Sequence, residues 1–212
     1  MRHEDSFGNR GDLGPGDVQW MTAARGIIHS EMPQQSEGRM RGFQLWINLP
    51  AREKMKPAAY RDIPASEIPA VALDGGGEVR VIAGDFTHGG ITTRGPIAGL
   101  STEPRYLDVR LPPQATVGIA TPPGHNALLY AYDGNGAVVY HARPRPPRAA
   151  GLLTPGDVVK VQAGGEGLRA LFLAGRPIGE PVVQYGPFVK NTPAEIQQAL
   201  ADYQRGQLAT AG

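Results

Sequence analysis

The sequence contains no cysteine among its 212 residues. Disulfide bonds, thiolate nucleophiles and thiolate metal sites are therefore excluded, and any metal must be held by histidine and carboxylate side chains. Long apolar runs are also missing, since the longest, around residues 168–174, is far below the about 20 residues that a membrane-spanning helix needs. The polar N-terminal segment has no feature of a signal peptide. These absences predict a soluble cytoplasmic protein with no membrane association.

The chain also lacks an excess of positive or negative charge. The chain has 21 Lys and Arg residues against 20 Asp and Glu residues, a net charge of +1. The strong positive charge typical of nucleic-acid-binding domains is absent, so no direct nucleic-acid binding is expected. One local basic stretch, Arg-Pro-Arg-Pro-Pro-Arg at residues 143–148, is interpreted most simply as a solvated loop between strands. The alternative is a contact with an anion or a partner.

Glycine and proline, in contrast, are abundant. The 29 glycines and 20 prolines are together about twice the average usage. Because they follow no repeat and form no low-complexity tract, they favour many short strands joined by turns. Asp133-Gly134-Asn135-Gly136 predicts a tight hairpin turn. Strand-like runs occupy residues 2–6, 17–22, 27–32, 42–49, 78–84, 105–111, 125–142, 157–163 and 168–175.

The C-terminal segment predicts one helix. Thr192 suits the N-cap, Pro193 the first helical position and Glu195 the third. Gly206 stands where a helix-ending glycine belongs. The apolar face indicates ordinary packing against a core rather than a partner motif, and it consists of Ile196, Ala199, Leu200 and Tyr203.

Two segments of the chain repeat each other. Pro-Gly-Asp-Val occurs at residues 15–18 and again at residues 155–158, each time before a predicted strand. Such a repeat predicts two similar β-domains. A strand, a turn and a returning strand precede the second copy, but only the returning strand, at residues 2–6, precedes the first. This asymmetry predicts that the chain starts in mid-domain, and that unpaired strand edges cause self-association through the first domain.

The strand at residues 27–32 carries a His-x-Glu pair, His29 and Glu31. Residues two apart on a strand point to the same face. Imidazole nitrogen and carboxylate oxygen suit Fe(II), Mn(II) or Ni(II). Two ligands are fewer than the three that a non-haem iron site usually has. From the residues alone, a chance pair is therefore the simpler interpretation.

Three long runs resemble the pirin family: HEDSFGNRGDLGPGDVQWMTAARGIIHSEMP, GFQLWINLPAREKMKPAAYRDI and EPVVQYGPFVKNTPAEIQQALADYQRGQ. The resemblance implies an all-β protein with two tandem cupin (jelly-roll type) β-barrel domains and a C-terminal helix. It places an incomplete N-terminal cupin with the metal site at residues 1–100. A C-terminal cupin follows at residues 101–185, and a tail with the helix at residues 186–212.

The resemblance also implies a metal site. The N-terminal cupin of pirins binds one metal, usually iron, through an early His-x-His pair and a later His and Glu spaced two apart. His29 and Glu31 match the later pair, with Glu31 also the candidate catalytic proton acceptor, whereas the early pair has no counterpart in this sequence. We therefore expect iron, or nickel, manganese, copper or zinc, to be held weakly.

Other residues are weaker candidates for the metal site. His3 is the best placed of the remaining histidines, because it lies on the neighbouring N-terminal strand, but the resemblance gives it no ligand role. The three others, His88, His125 and His141, are expected to be polar surface residues. Four residues could line a metal cavity, although core packing is the simpler interpretation for the two tryptophans: Trp20, Gln44, Trp46 and Asn48.

Two classes of function follow from the resemblance. The first is a flavonol (quercetin) 2,3-dioxygenase that takes a small aromatic substrate and is impaired here by the missing His-x-His pair. The second is a non-enzymatic regulatory protein that binds a transcription factor or a metabolic enzyme. The balanced charge favours a protein over a nucleic acid as the partner in that case.

Overall fold

The computed structural model describes residues 1–138, 143–145 and 148–209. Its chain divides into two compact units, one formed by Met1–Ala65 with Ile178–Gly212 and the other by Ser66–Pro177. The division into compact units does not coincide with the predicted cupin boundaries near residues 100 and 185. The C-terminal segment from Ile178 belongs to the same compact unit as the N-terminal segment. Within the described residues, no helix is long and apolar enough to cross a membrane.

Strands dominate the described residues, with two short 3-10 helices at Ala51–Glu53 and Ala65–Glu67 and an α-helix, α1, at Pro193–Gln204. The strands are β1 (Arg2–Asp5), β2 (Arg10–Asp12), β3 (Val18–Thr22), β4 (His29–Met32), β5 (Ala59–Ile63), β6 (Ala70–Ala72), β7 (Glu78–Ala83), β8 (Asp85–His88), β9 (Ile91–Arg94), β10 (Arg105–Leu111), β11 (Thr116–Ala120), β12 (Asn126–Val138), β13 (Arg143–Arg145), β14 (Ala149–Leu152), β15 (Val158–Gly175), β16 (Val183–Tyr185) and β17 (Phe188–Lys190).

The unit formed by Ser66–Pro177 contains an eight-stranded antiparallel sheet and the separate pair β8-β9. The larger sheet forms most of the unit. Its strand order is β13-β12-β15-β10-β7-β6, with β11 paired to β15 and β14 paired to β12. Strand β10 matches the run predicted at residues 105–111, and its alternation buries Leu107, Val109 and Leu111. These side chains join a continuous apolar core with Phe86 and Phe172. Burial of this apolar surface is the main force that holds the unit together.

The predicted hairpin at Asp133-Gly134-Asn135-Gly136 is wrong. These residues lie inside strand β12, which stays paired with β15 through two shifts of register. Gly134 has a φ of +68°, and a Cβ added there would lie 2.2 Å from the carbonyl oxygen of Gly167. Glycine is therefore required for an irregularity in the pairing of a long strand rather than for a turn. The runs predicted at residues 157–163 and 168–175 accordingly form one strand, β15.

Two further sequence predictions are wrong. Residues 42–49 form no strand, and most of their apolar side chains, including Phe43 and Trp46, are exposed. Alternation favours a strand only where a partner edge is available, and no described strand pairs with this segment. The basic stretch begins with strand β13, Arg143–Arg145, rather than with a loop. Residues 146 and 147 lie outside the described residues.

The prediction that the first Pro-Gly-Asp turn precedes a strand is confirmed. The carboxylate of Asp17 accepts the backbone N–H of Gly14 at 2.7 Å. Its other oxygen accepts the backbone N–H of Ala65, also at 2.7 Å. Strand β3 begins at the next residue, and β15 begins after the second copy in the same way. The aspartate satisfies backbone donors that a turn leaves free.

The helix prediction is confirmed at both ends. The Thr192 hydroxyl accepts the backbone N–H of Glu195, and the Glu195 carboxylate accepts the backbone N–H of Thr192. Gly206, with a φ of +68°, follows the helix. Of the predicted apolar face, Ile196 and Ala199 are buried. Leu200 is half-buried and Tyr203 is exposed, so the face is narrower than the sequence predicts.

Replacing Thr192 with alanine tests the cap. The Thr192→Ala chain loses the acceptor for the Glu195 N–H, so its free energy of unfolding should fall by about 1 kcal/mol. Thr192→Ser keeps the hydroxyl and serves as the control. Urea unfolding followed by circular dichroism measures both, and an alanine variant as stable as the wild type would contradict the role of the cap.

Candidate metal centre

The two predicted ligands lie on strand β4, next to strand β1. The strands are antiparallel, with Asp5 opposite His29 and His3 opposite Glu31. His29 is half-buried, and Glu31 is exposed. The two side chains share a face of the strand because they are two residues apart. The local geometry that the His-x-Glu pair predicts is thus present.

A second histidine contacts the first member of this pair. His3 is fully buried, and its Nε2 lies 3.2 Å from Nδ1 of His29. The two ring centroids are 5.3 Å apart. The Nδ1 atom of His3 is buried and has no hydrogen-bond partner among the described residues. His3 therefore belongs to the candidate site, in contact with His29.

Three residues that the sequence did not single out support this histidine. The His3 ring stacks on Tyr60 with centroids 5.5 Å apart and planes tilted by 11°. The Tyr60 hydroxyl donates a hydrogen bond to the Asp62 carboxylate. The side-chain amide of Gln19 lies 3.4 Å from the Tyr60 hydroxyl and 3.3 Å from Asp62 Oδ1. The Tyr-x-Asp spacing could have indicated a shared strand face.

A further strand lies close to this polar cluster. A Cβ added at Gly11 would lie 2.5 Å from a carboxylate oxygen of Asp62. Strand β2, which carries Gly11, pairs with β1, and strand β3, which carries Gln19, pairs with β5. Residues from four short strands thus fix the Tyr60 ring beside His3. A fixed neighbour limits the orientations that the His3 ring can take.

The environment of Tyr60 gives a pH-dependent prediction. Burial, and then the hydrogen bond to Asp62, raise the pKa of Tyr60 to about 12. The ordinary pKa of tyrosine is about 10, so the stabilisation from the neutral phenol is full below pH of about 10 and is lost as pH rises toward about 12. An ultraviolet titration of wild type and Tyr60→Phe should show that one late-ionising phenol is lost. If the phenol that is lost in Tyr60→Phe ionises near the ordinary tyrosine pKa of about 10, the raised pKa of Tyr60 is contradicted.

The described residues bring together two side chains on strand β4 of the kinds that can bind a metal, His29 and Glu31. No group of three or more histidine and carboxylate side chains that could hold a metal converges in the described part of the chain. His29 and Glu31 fit two positions of a coordination sphere by their chemistry, one nitrogen and one oxygen donor. They do not complete such a sphere by themselves.

The other candidates take no part in this cluster. The His125 side chain is 3% exposed and its Nε2 lies 3.4 Å from Glu103, so the prediction of a surface residue is wrong. The Glu103 carboxylate beside it explains how this polar ring is accommodated. His88 is partly buried, 3.4 Å from Asp74. His141 lies outside the described residues. Trp20 is half-buried on β3, whereas Trp46 is 61% exposed, which contradicts core packing for Trp46.

The strand-rich fold, its C-terminal helix and the His-x-Glu pair together indicate a cupin-type protein. The family model described as Pirin matches residues 1–47. The model described as Pirin C-terminal cupin domain matches residues 106–209. A Pseudomonas aeruginosa protein provisionally named quercetin 2,3-dioxygenase is 51% identical over 213 residues, which cover 99% of this chain and 73% of the relative. The chain belongs to the pirin family.

Other relatives agree with this assignment. A pirin-like protein of Caulobacter vibrioides is 46% identical over 208 residues, 98% of this chain and 73% of the relative. The crystal structure of a quercetin 2,3-dioxygenase from Acinetobacter baumannii superimposes with a TM-score of 0.84 at 31% identity, over 99% of this chain and 72% of that one. The predicted all-β cupin fold with a C-terminal helix is confirmed.

Proposed function

We propose that this pirin is a metal-dependent, quercetin 2,3-dioxygenase-like oxidoreductase that acts on a small aromatic, flavonol-like substrate. The observation that carries the proposal is the pair His29 and Glu31 on strand β4, with the His29 ring in contact with the buried His3. The quercetin 2,3-dioxygenase names of the Pseudomonas and Acinetobacter relatives support it. The metal is proposed to be iron, with nickel, manganese, copper or zinc as alternatives.

Each of the two residues has a proposed role. His29 would hold the metal through a ring nitrogen, and Glu31 through a carboxylate oxygen. When bound, the metal would supply Lewis-acid chemistry toward the substrate oxygens. The exposed Glu31 carboxylate can also accept the proton of the flavonol hydroxyl, because it is reached from solvent. Since only two ligands converge in the described residues, we propose that this chain holds the metal weakly and turns over slowly.

The role of Glu31 is tested with a matched pair of variants. Glu31→Gln keeps the size of the side chain but removes the anionic ligand and the proton acceptor. Glu37→Gln makes the same change at another exposed glutamate, in the irregular segment that follows β4. Fe(II) or Ni(II) binding and flavonol consumption should fall only in Glu31→Gln. Wild-type metal binding by Glu31→Gln would refute the assignment of this residue.

The second candidate function is binding of a regulatory protein. Strand β13, with Arg143 and Arg145, is the last strand at one end of the described sheet order, and Arg148 nearby is exposed. A strand at the end of a sheet can pair with another chain, and arginine can bind carboxylates of an acidic partner. Replacing the three arginines with alanine should then remove a salt-sensitive interaction with a transcription factor or metabolic enzyme while leaving metal binding unchanged. Equal capture of a purified candidate partner by both forms would exclude this surface.

A further inference from the structure

We infer that His3 is a positioning residue for the metal ligand His29: it accepts the N–H of His29 and so leaves the other ring nitrogen of His29 free for the metal. This inference rests on the proposed function, because it needs His29 to be a ligand. It assigns a role to a histidine that matches neither of the two predicted ligands.

The contact between the two rings is specific. Nε2 of His3 faces Nδ1 of His29 at 3.2 Å, within hydrogen-bond distance. Strands β1 and β4 bring the rings together because Asp5, two residues after His3, lies opposite His29 in the register. Among the described residues, this is the hydrogen bond that the His29 ring makes, so Nε2 of His29 is left for another partner.

The chemistry of a neutral imidazole allows two arrangements of this pair. Each ring has one N–H donor and one bare nitrogen acceptor. If His29 donates from Nδ1, its Nε2 keeps the lone pair that a metal requires, and His3 carries its proton on Nδ1. If His3 donates from Nε2, the proton of His29 stays on Nε2 and the metal cannot bind there. Metal binding therefore selects the arrangement in which His3 accepts.

Burial and stacking hold the His3 ring in the position from which it can accept this hydrogen bond. The His3 ring is fully buried and stacked on Tyr60, which is itself held by Asp62. Metal-bound histidines commonly donate their second N–H to a carboxylate, a carbonyl or a water, and this fixes the ring and its tautomer. Here a second imidazole is the acceptor. Its own Nδ1 has no partner among the described residues, a cost that an apolar ring at the same place would not carry.

Two variants of His3 separate positioning from simple packing. His3→Phe keeps an aromatic ring that can stack on Tyr60, but it removes the nitrogen that accepts from His29. His3→Gln restores an amide oxygen near the former position of Nε2. With Zn²⁺ as a diamagnetic probe, affinity should fall about 10–100-fold in His3→Phe, the range typical of residues that support a ligand, and recover in part in His3→Gln.

The tautomer itself provides a readout that does not depend on the variants or on activity. Ring nitrogen-15 shifts of the wild-type chain should show, on addition of Zn²⁺, a protonated Nδ1 and a zinc-bound Nε2 in His29, together with a protonated Nδ1 in His3. Zinc bound at Nδ1 of His29 would overturn the inference even if His3→Phe failed to fold. Unchanged Zn²⁺ affinity in a folded His3→Phe chain would overturn it as well.

The variant His29→Ala distinguishes this inference from the proposed function. If His29→Ala and wild type bind Zn²⁺ equally, His29 is not a ligand and the proposed metal site fails together with the role of His3. If His29→Ala loses binding while His3→Phe keeps it, the metal site stands and only the positioning role of His3 fails. Loss in both, with partial recovery in His3→Gln, supports both statements.

Discussion

Phe172→Ala is expected to lower the free energy of unfolding of the unit Ser66–Pro177 by about 3–5 kcal/mol. Phe172 is fully buried near the C-terminal end of strand β15. It lies opposite Leu107 on one neighbouring strand and Leu129 on the other, so truncation leaves a cavity that paired backbones on both sides cannot close. Total stabilities of domains are only about 5–15 kcal/mol, and a large fraction of the variant should therefore be unfolded in mild denaturant.

A surface position of the same unit supplies the control. Leu152 on strand β14 is 77% exposed, so Leu152→Ala should change the free energy of unfolding by less than about 0.5 kcal/mol. Denaturant unfolding followed by circular dichroism compares the two variants with the wild type. A loss below about 1 kcal/mol for Phe172→Ala would show that the centre of the core lies elsewhere.

The second large effect concerns the number of metal ligands. Joining the His-x-His segment of a longer pirin to the N-terminus of this chain is expected to raise metal affinity by more than about 100-fold, because direct ligands contribute more than the 10–100-fold that supporting residues give. In the extended chain, His29→Ala or Glu31→Ala should abolish tight binding. Metal content after purification and dialysis measures both effects.

The matched control for this experiment is the same extension with both of its histidines replaced by alanine. It adds the same length of chain and the same strand-forming residues, but no imidazole. If the two extended chains retained equal amounts of iron or nickel, the gain would come from the added length of chain and not from ligation by its histidines. The added histidines would then have no role as ligands.

The sequence predicts the fold correctly where neighbouring residues alone determine the local structure. The Thr192 and Glu195 side chains form the predicted capping box because all its partners lie within one helical turn. Strand β10 matches its predicted run because strict alternation places Leu107 and Val109 in the core. The His-x-Glu spacing likewise predicted that His29 and Glu31 share a strand, since both residues lie on β4.

The sequence predictions are wrong where residues far apart in the sequence determine the local structure. Gly134 reads locally as part of a turn, but the close approach of Gly167, far along the chain, keeps it in a long strand. Trp46 alternates well with its neighbours, but no described strand pairs with that segment. The His125 side chain is buried beside Glu103, 22 positions away in sequence. Such pairings depend on tertiary packing, which residue type and spacing alone do not specify.

The candidate site shows the same contrast between local signals, which the sequence reveals, and tertiary contacts, which it does not. The ligand pair was predicted from two residues on one strand, whereas the cluster that supports it joins four strands. Tyr60 stacks on His3 only because β5 pairs with β3 and the turn at Asp17 fixes the start of β3. Neither Tyr60 nor His3 belongs to a sequence motif that predicts their contact. The Tyr-x-Asp spacing on β5 was the one local signal, and it indicates a shared face without naming the partner.

The central claim is that His29 and Glu31 are the metal ligands contributed by this chain, and an equilibrium titration with Ni(II) tests it most directly. We predict weak binding by the wild-type chain and none that can be measured in His29→Ala, with circular dichroism unchanged between the two. Equal binding by wild type and His29→Ala would contradict the claim. One tightly held metal per wild-type chain, lost in His29→Ala, would confirm His29 but contradict the weak site, and would indicate that His3 or a second subunit supplies the remaining ligands.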